Sequence, residues 1–72
     1  MTHKTYYAIE AKDIAGNRRH WADYYTSAPV VCRDAKAIFR DHPAWDVVVL
    51  KELPKKTENQ IGSEWKLFRT FS

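Results

Sequence analysis

The stretch Ser27-Ala28-Pro29-Val30-Val31-Cys32-Arg33-Asp34-Ala35-Lys36-Ala37-Ile38-Phe39-Arg40-Asp41-His42 decides the fold, because it reads as a helix while the segments on either side read as strand and turn. Ser27 suits the N-cap, where its hydroxyl can accept from a free backbone N–H of the first turn. Pro29 fits that first turn, where its missing donor costs nothing. Pro43 disfavours the α region for His42, so the spacing predicts a helix over about 28–42. Within these limits Val31, Ala35, Ile38, Phe39 and His42 recur on one side at helical spacing, with Cys32 flanking them. Arg33, Lys36, Ala37 and Arg40 share the opposite side, beside Asp34 and Asp41. One apolar stripe requires one sheet face to cover it. The basic side formed by Arg33, Lys36 and Arg40 reads first as a solvated surface and second as a phosphate-binding stripe.

Upstream of the helix, Thr5–Lys12 alternates, which places Tyr7, Ile9 and Ala11 on an inward face and Tyr6, Glu10 and Lys12 on the other. This predicts a strand over about 5–12. Asp13-Ile14-Ala15-Gly16-Asn17 is a turn signal, with Asp opening a type I turn and Gly or Asn taking positive φ. The chain returns as a strand over about 18–26. The register of this hairpin stays open. A three-residue loop sets Trp21 opposite Ile9. A four-residue loop sets Ala22 opposite Tyr7 and Arg19 opposite Glu10, gains an opposite-charge pair, and sends Trp21 and Tyr25 outward. A slip of one residue exchanges the faces, so the exposure of Trp21 rests on this turn.

Downstream, His42-Pro43-Ala44 breaks the helix. A strand over about 45–53 follows, Trp45 to Leu53, apolar on both faces at its middle as in a central strand. Pro54–Ser63 is a polar loop, and a last strand over about 64–71 puts Trp65, Leu67 and Phe71 on one face. The polar start Met1–Lys4 is expected to fray. The order ββαββ implies an α+β fold, a four-stranded antiparallel sheet with the helix packed on one face. The other sheet face must be solvated, covered by a second copy of the chain, or used for a partner. Tyr6, Trp21, Tyr25, Trp65 and Phe68 are the aromatic residues expected there, among Lys, Arg and Glu.

A chain of 72 residues fits one domain and buries only about 60% of its unfolded surface. One cysteine excludes an internal disulfide framework. Three Trp, four Tyr and three Phe compensate with large areas for burial and exceed the needs of one small core, so some are expected on a binding face. The net charge of +3 comes from twelve basic and nine acidic side chains interleaved along the chain. That balance permits a nucleic-acid or acidic protein partner without demanding one. No apolar run approaches a membrane span, and residues 1–20 lack the apolar core of a signal peptide. With a lone cysteine, the expected compartment is a reducing cytoplasm.

His3, His20, Cys32 and His42 form no CxxC, HxxxH or HExxH pair, so neither a metal nor another cofactor is expected. Cys32 and His42 lie too far apart on one helix to form a nucleophile–base pair. Glu10 and Asp23 serve to balance Arg18 and Arg19, and the two glycines build no phosphate loop. The expectation is therefore binding rather than catalysis. Arg18-Arg19-His20-Trp21, with Lys55, Lys56, Lys66 and Arg69, suits base stacking and phosphate contact, although the RRM signature is absent and acidic residues interleave. A protein interface anchored by Trp, Tyr and Arg fits the same face, and homodimerisation through it is a further option.

The layout of a Tyr6–Tyr25 hairpin, the Ser27–His42 helix and a Trp45–Phe71 hairpin resembles small proteins encoded by bacterial viruses and mobile elements, the anti-CRISPR type in particular. The resemblance implies a non-enzymatic inhibitor in the host bacterial cytoplasm. Such a protein occupies a nucleic-acid-binding or partner-binding surface of a host protein or ribonucleoprotein complex. It carries over no residue roles, because no motif aligns. A second likeness is to the sheet-plus-helix DNA-binding domain at the start of phage integrases, where a basic hairpin such as Gly16-Asn17-Arg18-Arg19 precedes the helix; the second hairpin here departs from it. From the residues themselves, the expected partner-binding set is Tyr6, Arg18, Arg19, Trp21, Tyr25 and Lys66. Direct binding of DNA or RNA by the same face is the alternative.

Overall fold

The computed structural model describes residues 5–53 and 64–71. The polar start Met1–Lys4 and the loop Pro54–Ser63, with Lys55 and Lys56, lie outside the described residues. The elements are β1 (Tyr7–Lys12), β2 (Arg18–Tyr25), α1 (Ala28–Asp41), β3 (Asp46–Glu52) and β4 (Trp65–Phe71). All strand pairings are antiparallel, in the order β2-β1-β3-β4. The ββαββ, α+β reading of the sequence is the observed architecture. β3 is apolar on both faces because it lies between β1 and β4: Val47 and Val49 are fully buried under the helix, and Val48 and Leu50 are half-buried on the other side.

The core under α1 is built from Ile9, Ala11, Val31, Ala35, Val47 and Val49, all fully buried. No aromatic side chain is among the fully buried ones. Tyr7, Tyr25, Phe39, Trp45 and Phe71 pack half-buried around this centre, so the aromatics frame the core rather than fill it. Small and β-branched residues at the centre let the helix seat close to the sheet, and the rings then seal the perimeter.

α1 starts and stops where Pro29 and Pro43 place its ends. Ser27 takes the N-cap conformation and its carbonyl accepts from Val31 N–H at 3.0 Å, but its hydroxyl makes no capping hydrogen bond. His42 is displaced from the expected apolar stripe. It is the C-cap, with φ −135° and ψ 71°, and its exposed ring stacks on Trp45 at 3.7 Å. The Pro43 ring excludes α geometry at His42, which turns the side chain off the helix face.

The turn between β1 and β2 is held by Asp13, whose Oδ1 accepts from Ala15 N–H at 3.0 Å and Asn17 N–H at 2.9 Å. Gly16 N–H donates to the Asp13 carbonyl at 2.9 Å, and Gly16 takes φ 85°. The observed register is neither of the two that turn length alone allows. Lys12 pairs with Arg18, but Ala11 pairs with His20, so Arg19 is an extra residue in β2. A second shift follows between Ile9–Ala22 and Tyr7–Tyr25. Had the ladder continued from Lys12–Arg18 without a shift, Trp21 would face Ile9 under the helix. The bulge places Trp21 opposite Glu10, on the outer face.

β4 carries its own shift. Val49 pairs with Arg69 and Leu50 with Leu67, which leaves Phe68 as the extra residue. Trp65 and Leu67 are therefore on the outer face, whereas Phe71 pairs with Val47 and joins the core perimeter. The single alternating face expected for Trp65, Leu67 and Phe71 is broken at Phe68.

Candidate functional site

The face of the sheet opposite α1 carries no helix among the described residues. β1 contributes Ala8, Glu10 and Lys12 to it, β3 contributes Val48, Leu50 and Glu52, and the edge strands contribute Arg18, Trp21, Trp65 and Leu67. Three strand spacings of about 4.8 Å each separate β2 from β4. Even so, the Trp21 and Trp65 rings meet edge to face, with centroids 5.7 Å apart and planes at 88°. They reach each other only by leaning inward over β1 and β3. Ala8 alternates outward yet is fully buried, which requires cover on this face.

Charge is organised around the tryptophans. Glu10, opposite Trp21, keeps only 16% of its side chain exposed. Its Oε2 accepts from Arg18 Nη2 at 2.9 Å and Nε at 3.1 Å, and Lys12 Nζ lies 3.8 Å from Oε1. The Arg18 guanidinium also sits 4.8 Å from the Trp21 ring centre. Arg18 thus neutralises the central carboxylate and covers a ring in one placement. The opposite-charge cross-strand pair expected for Arg19 is made by Arg18 instead. Leu67, 58% exposed, supplies an apolar surface beside this cluster.

The expected binding residues divide between the two faces. Tyr6, Arg18 and Trp21 belong to the outer face. Arg19 is directed to the helix side, 5.9 Å from the Trp45 ring centre. Tyr25 pairs with Tyr7 on the helix side and donates its hydroxyl to Asp34 Oδ2 at 2.7 Å. Lys66 pairs with Lys51, also on the helix side. Phe68, expected outside, packs on Tyr7 at 5.2 Å. In each strand the bulge shifts the phase of the residues beyond it. Arg33, Lys36 and Arg40 remain exposed on the far side of α1, and Arg33 reaches only its neighbour Asp34, at 3.4 Å. Glu10 and Leu67 are the outer-face residues absent from the expected set. The alternation of β1 and the Trp65–Leu67 pairing in sequence are the signals that mark them.

Titration is perturbed at the helix–hairpin contact. Burial, reinforced by the hydrogen bond to Asp34, pushes the Tyr25 hydroxyl well above the usual tyrosine range. The Tyr25 hydroxyl in turn holds the Asp34 carboxyl below its ordinary value, with Arg33 adding to the effect. Asp13 is lowered by the backbone N–H groups it accepts from, Asn17 first. His20 sits opposite Ala11 with a buried Nε2 that has no hydrogen-bond partner. Among the described residues no three His, Cys, Asp or Glu side chains converge to hold a metal ion, and no helix is long and apolar enough to cross a membrane. Comparison with protein-family models, curated proteins and solved structures gives no match.

Proposed function

We propose that this chain is a non-enzymatic protein-binding module that docks through the outer sheet face. In this reading it acts as the small phage-type inhibitors of similar layout do, in the host bacterial cytoplasm, by occupying a surface of a host nucleic-acid-handling protein or ribonucleoprotein complex. The observation that carries the proposal is the Trp21–Trp65 pair over the central strands, rimmed by Arg18 and Lys12 and continued by exposed Leu67. A pre-packed aromatic centre with a charged rim loses little side-chain freedom on binding and matches the composition of interface hot spots.

Direct binding of DNA or RNA is the competing reading, and it draws on the same arginine and lysine. Base stacking needs an open aromatic face. On Trp21 the guanidinium of Arg18 lies over the ring and the perpendicular Trp65 ring occupies another flank. Glu10 adds a carboxylate at the middle of the face. These features favour a protein partner.

The test is capture of a partner from bacterial lysate, with and without nuclease, by the parent chain and by a Trp21→Ala/Leu67→Asp double variant checked for folding by circular dichroism. Capture that survives nuclease and is lost in the folded variant supports the proposal. Capture abolished by nuclease supports the nucleic-acid reading. Undiminished capture by the folded variant removes the outer face from either role.

A further inference from the structure

The helix side of the sheet is not covered over its whole length. Beyond the start of α1, where β1 begins, β3 ends and β4 begins, a hollow of about 480 Å³ is lined by Thr5, Lys51, Leu53, Lys66 and Phe68, with the backbone around Glu52. This volume falls within the range of small-molecule sites. Thr5, Lys51 and Leu53 reach the hollow by the same alternation that buries Ile9 and Val49. Phe68 reaches it through the β4 bulge, with its ring set against Tyr7.

Lys51 and Lys66 are direct cross-strand partners on this surface. Like charges directly opposite each other destabilise a sheet. Neither ammonium group has a carboxylate partner: the ion pairs among the described residues use Glu10 and Asp34. Glu52, next in sequence to Lys51, alternates to the outer face opposite Trp65. The nearby N–H groups of Glu52 and Leu53 are committed to the carbonyls of Tyr6 and Glu64. The polar groups left to meet a ligand are therefore two cations and the Thr5 hydroxyl, and the remaining wall is apolar.

We propose that this hollow binds a phosphate monoester carried on a small aromatic or apolar group. Two ammonium groups side by side match a dianion better than a single carboxylate, and an occupant of that charge relieves their mutual repulsion. The Thr5 hydroxyl donates to a phosphate oxygen, and Phe68 and Leu53 face the organic part. This site lies on the opposite side of the sheet from Trp21 and Trp65, so the two proposals stand or fall separately.

Phenyl phosphate, inorganic phosphate and phenol are the probes, titrated into the full chain and followed by amide chemical shifts. Saturable shifts at Thr5, Lys51, Lys66 and Phe68 are expected with phenyl phosphate, weaker ones with inorganic phosphate, and none with phenol. The K51Q/K66Q variant should bind about tenfold or more weakly, the scale of losing charge-assisted contacts. K66E, which gives Lys51 an opposite charge across the ladder, should abolish binding and raise the melting temperature. No saturable shift with either phosphate, shifts that map elsewhere, or unchanged affinity in K51Q/K66Q would overturn the assignment. Should K51Q/K66Q fail to fold, K51Q alone provides the comparison, with the same two outcomes.

Discussion

Trp21 of β2 and Trp65 of β4 stand on the two edge strands of the sheet, yet their rings make contact at 5.7 Å above β1 and β3. The pair converts a bare sheet face into a second, shallow layer of packing over Ala8. A double-mutant cycle with Trp21→Ala and Trp65→Ala should return a coupling energy of about 1 kcal/mol in urea unfolding, the scale of a perpendicular aromatic pair. Strictly additive losses would mean that the rings do not touch in solution.

Glu10 is the charge on which the outer face depends. Glu10→Ala strips Arg18 and Lys12 of their shared partner and should cost about 1 kcal/mol, with a smaller loss when measured in molar salt. Arg19→Ala, on the other side of the sheet, should leave the effect of the Glu10 substitution unchanged in the combined variant. Dependence between the two would contradict the observed register.

The Tyr25–Asp34 contact sets opposite limits on the pH range of stability. Tyr25 is raised above its ordinary value of 10.0, so its contribution is complete below that pH and lost as pH climbs above it. Asp34 is lowered below 3.8, so its contribution is complete above that pH and lost as pH falls below it. Tyr25→Phe removes the shared hydrogen bond and should flatten both limbs of a plot of urea midpoint against pH. It should also leave the tyrosinate absorbance gained near pH 10 unchanged, since Tyr25 stays protonated there. Steeper limbs in the variant would count against the contact.

His20 carries a buried, unpartnered Nε2 on the helix side. Replacing it with an apolar ring removes the desolvation cost of that nitrogen. His20→Phe should stabilise the chain by about 1 kcal/mol, read as a shift in urea midpoint at constant slope. A loss of stability would indicate a partner for the imidazole.

Much of the fold is legible in the sequence because its signals are local. Tyr7, Ile9 and Ala11 alternate, Val31, Ala35, Ile38 and Phe39 recur at helical spacing, and Pro29 and Pro43 bracket the helix. Each pattern acts within a few residues, so element type and order follow from it. The site was only half legible. Tyr6, Arg18 and Trp21 reach the outer face as expected, whereas Arg19, Tyr25 and Lys66 lie on the helix side. A bulge leaves no clear mark in composition, and a single extra residue reverses the phase of everything that follows.

By itself, then, the sequence determined the ββαββ order, the central place of β3 and the apolar stripe of α1, since periodicity and proline geometry act along the chain. Only the tertiary structure decided which ring faces which side. The extra residues at Arg19 and Phe68 arise where two strands must align both their ladders and their buried faces. The meeting of Trp21 with Trp65 requires edge strands that come together only when β3 is inserted between β1 and β4.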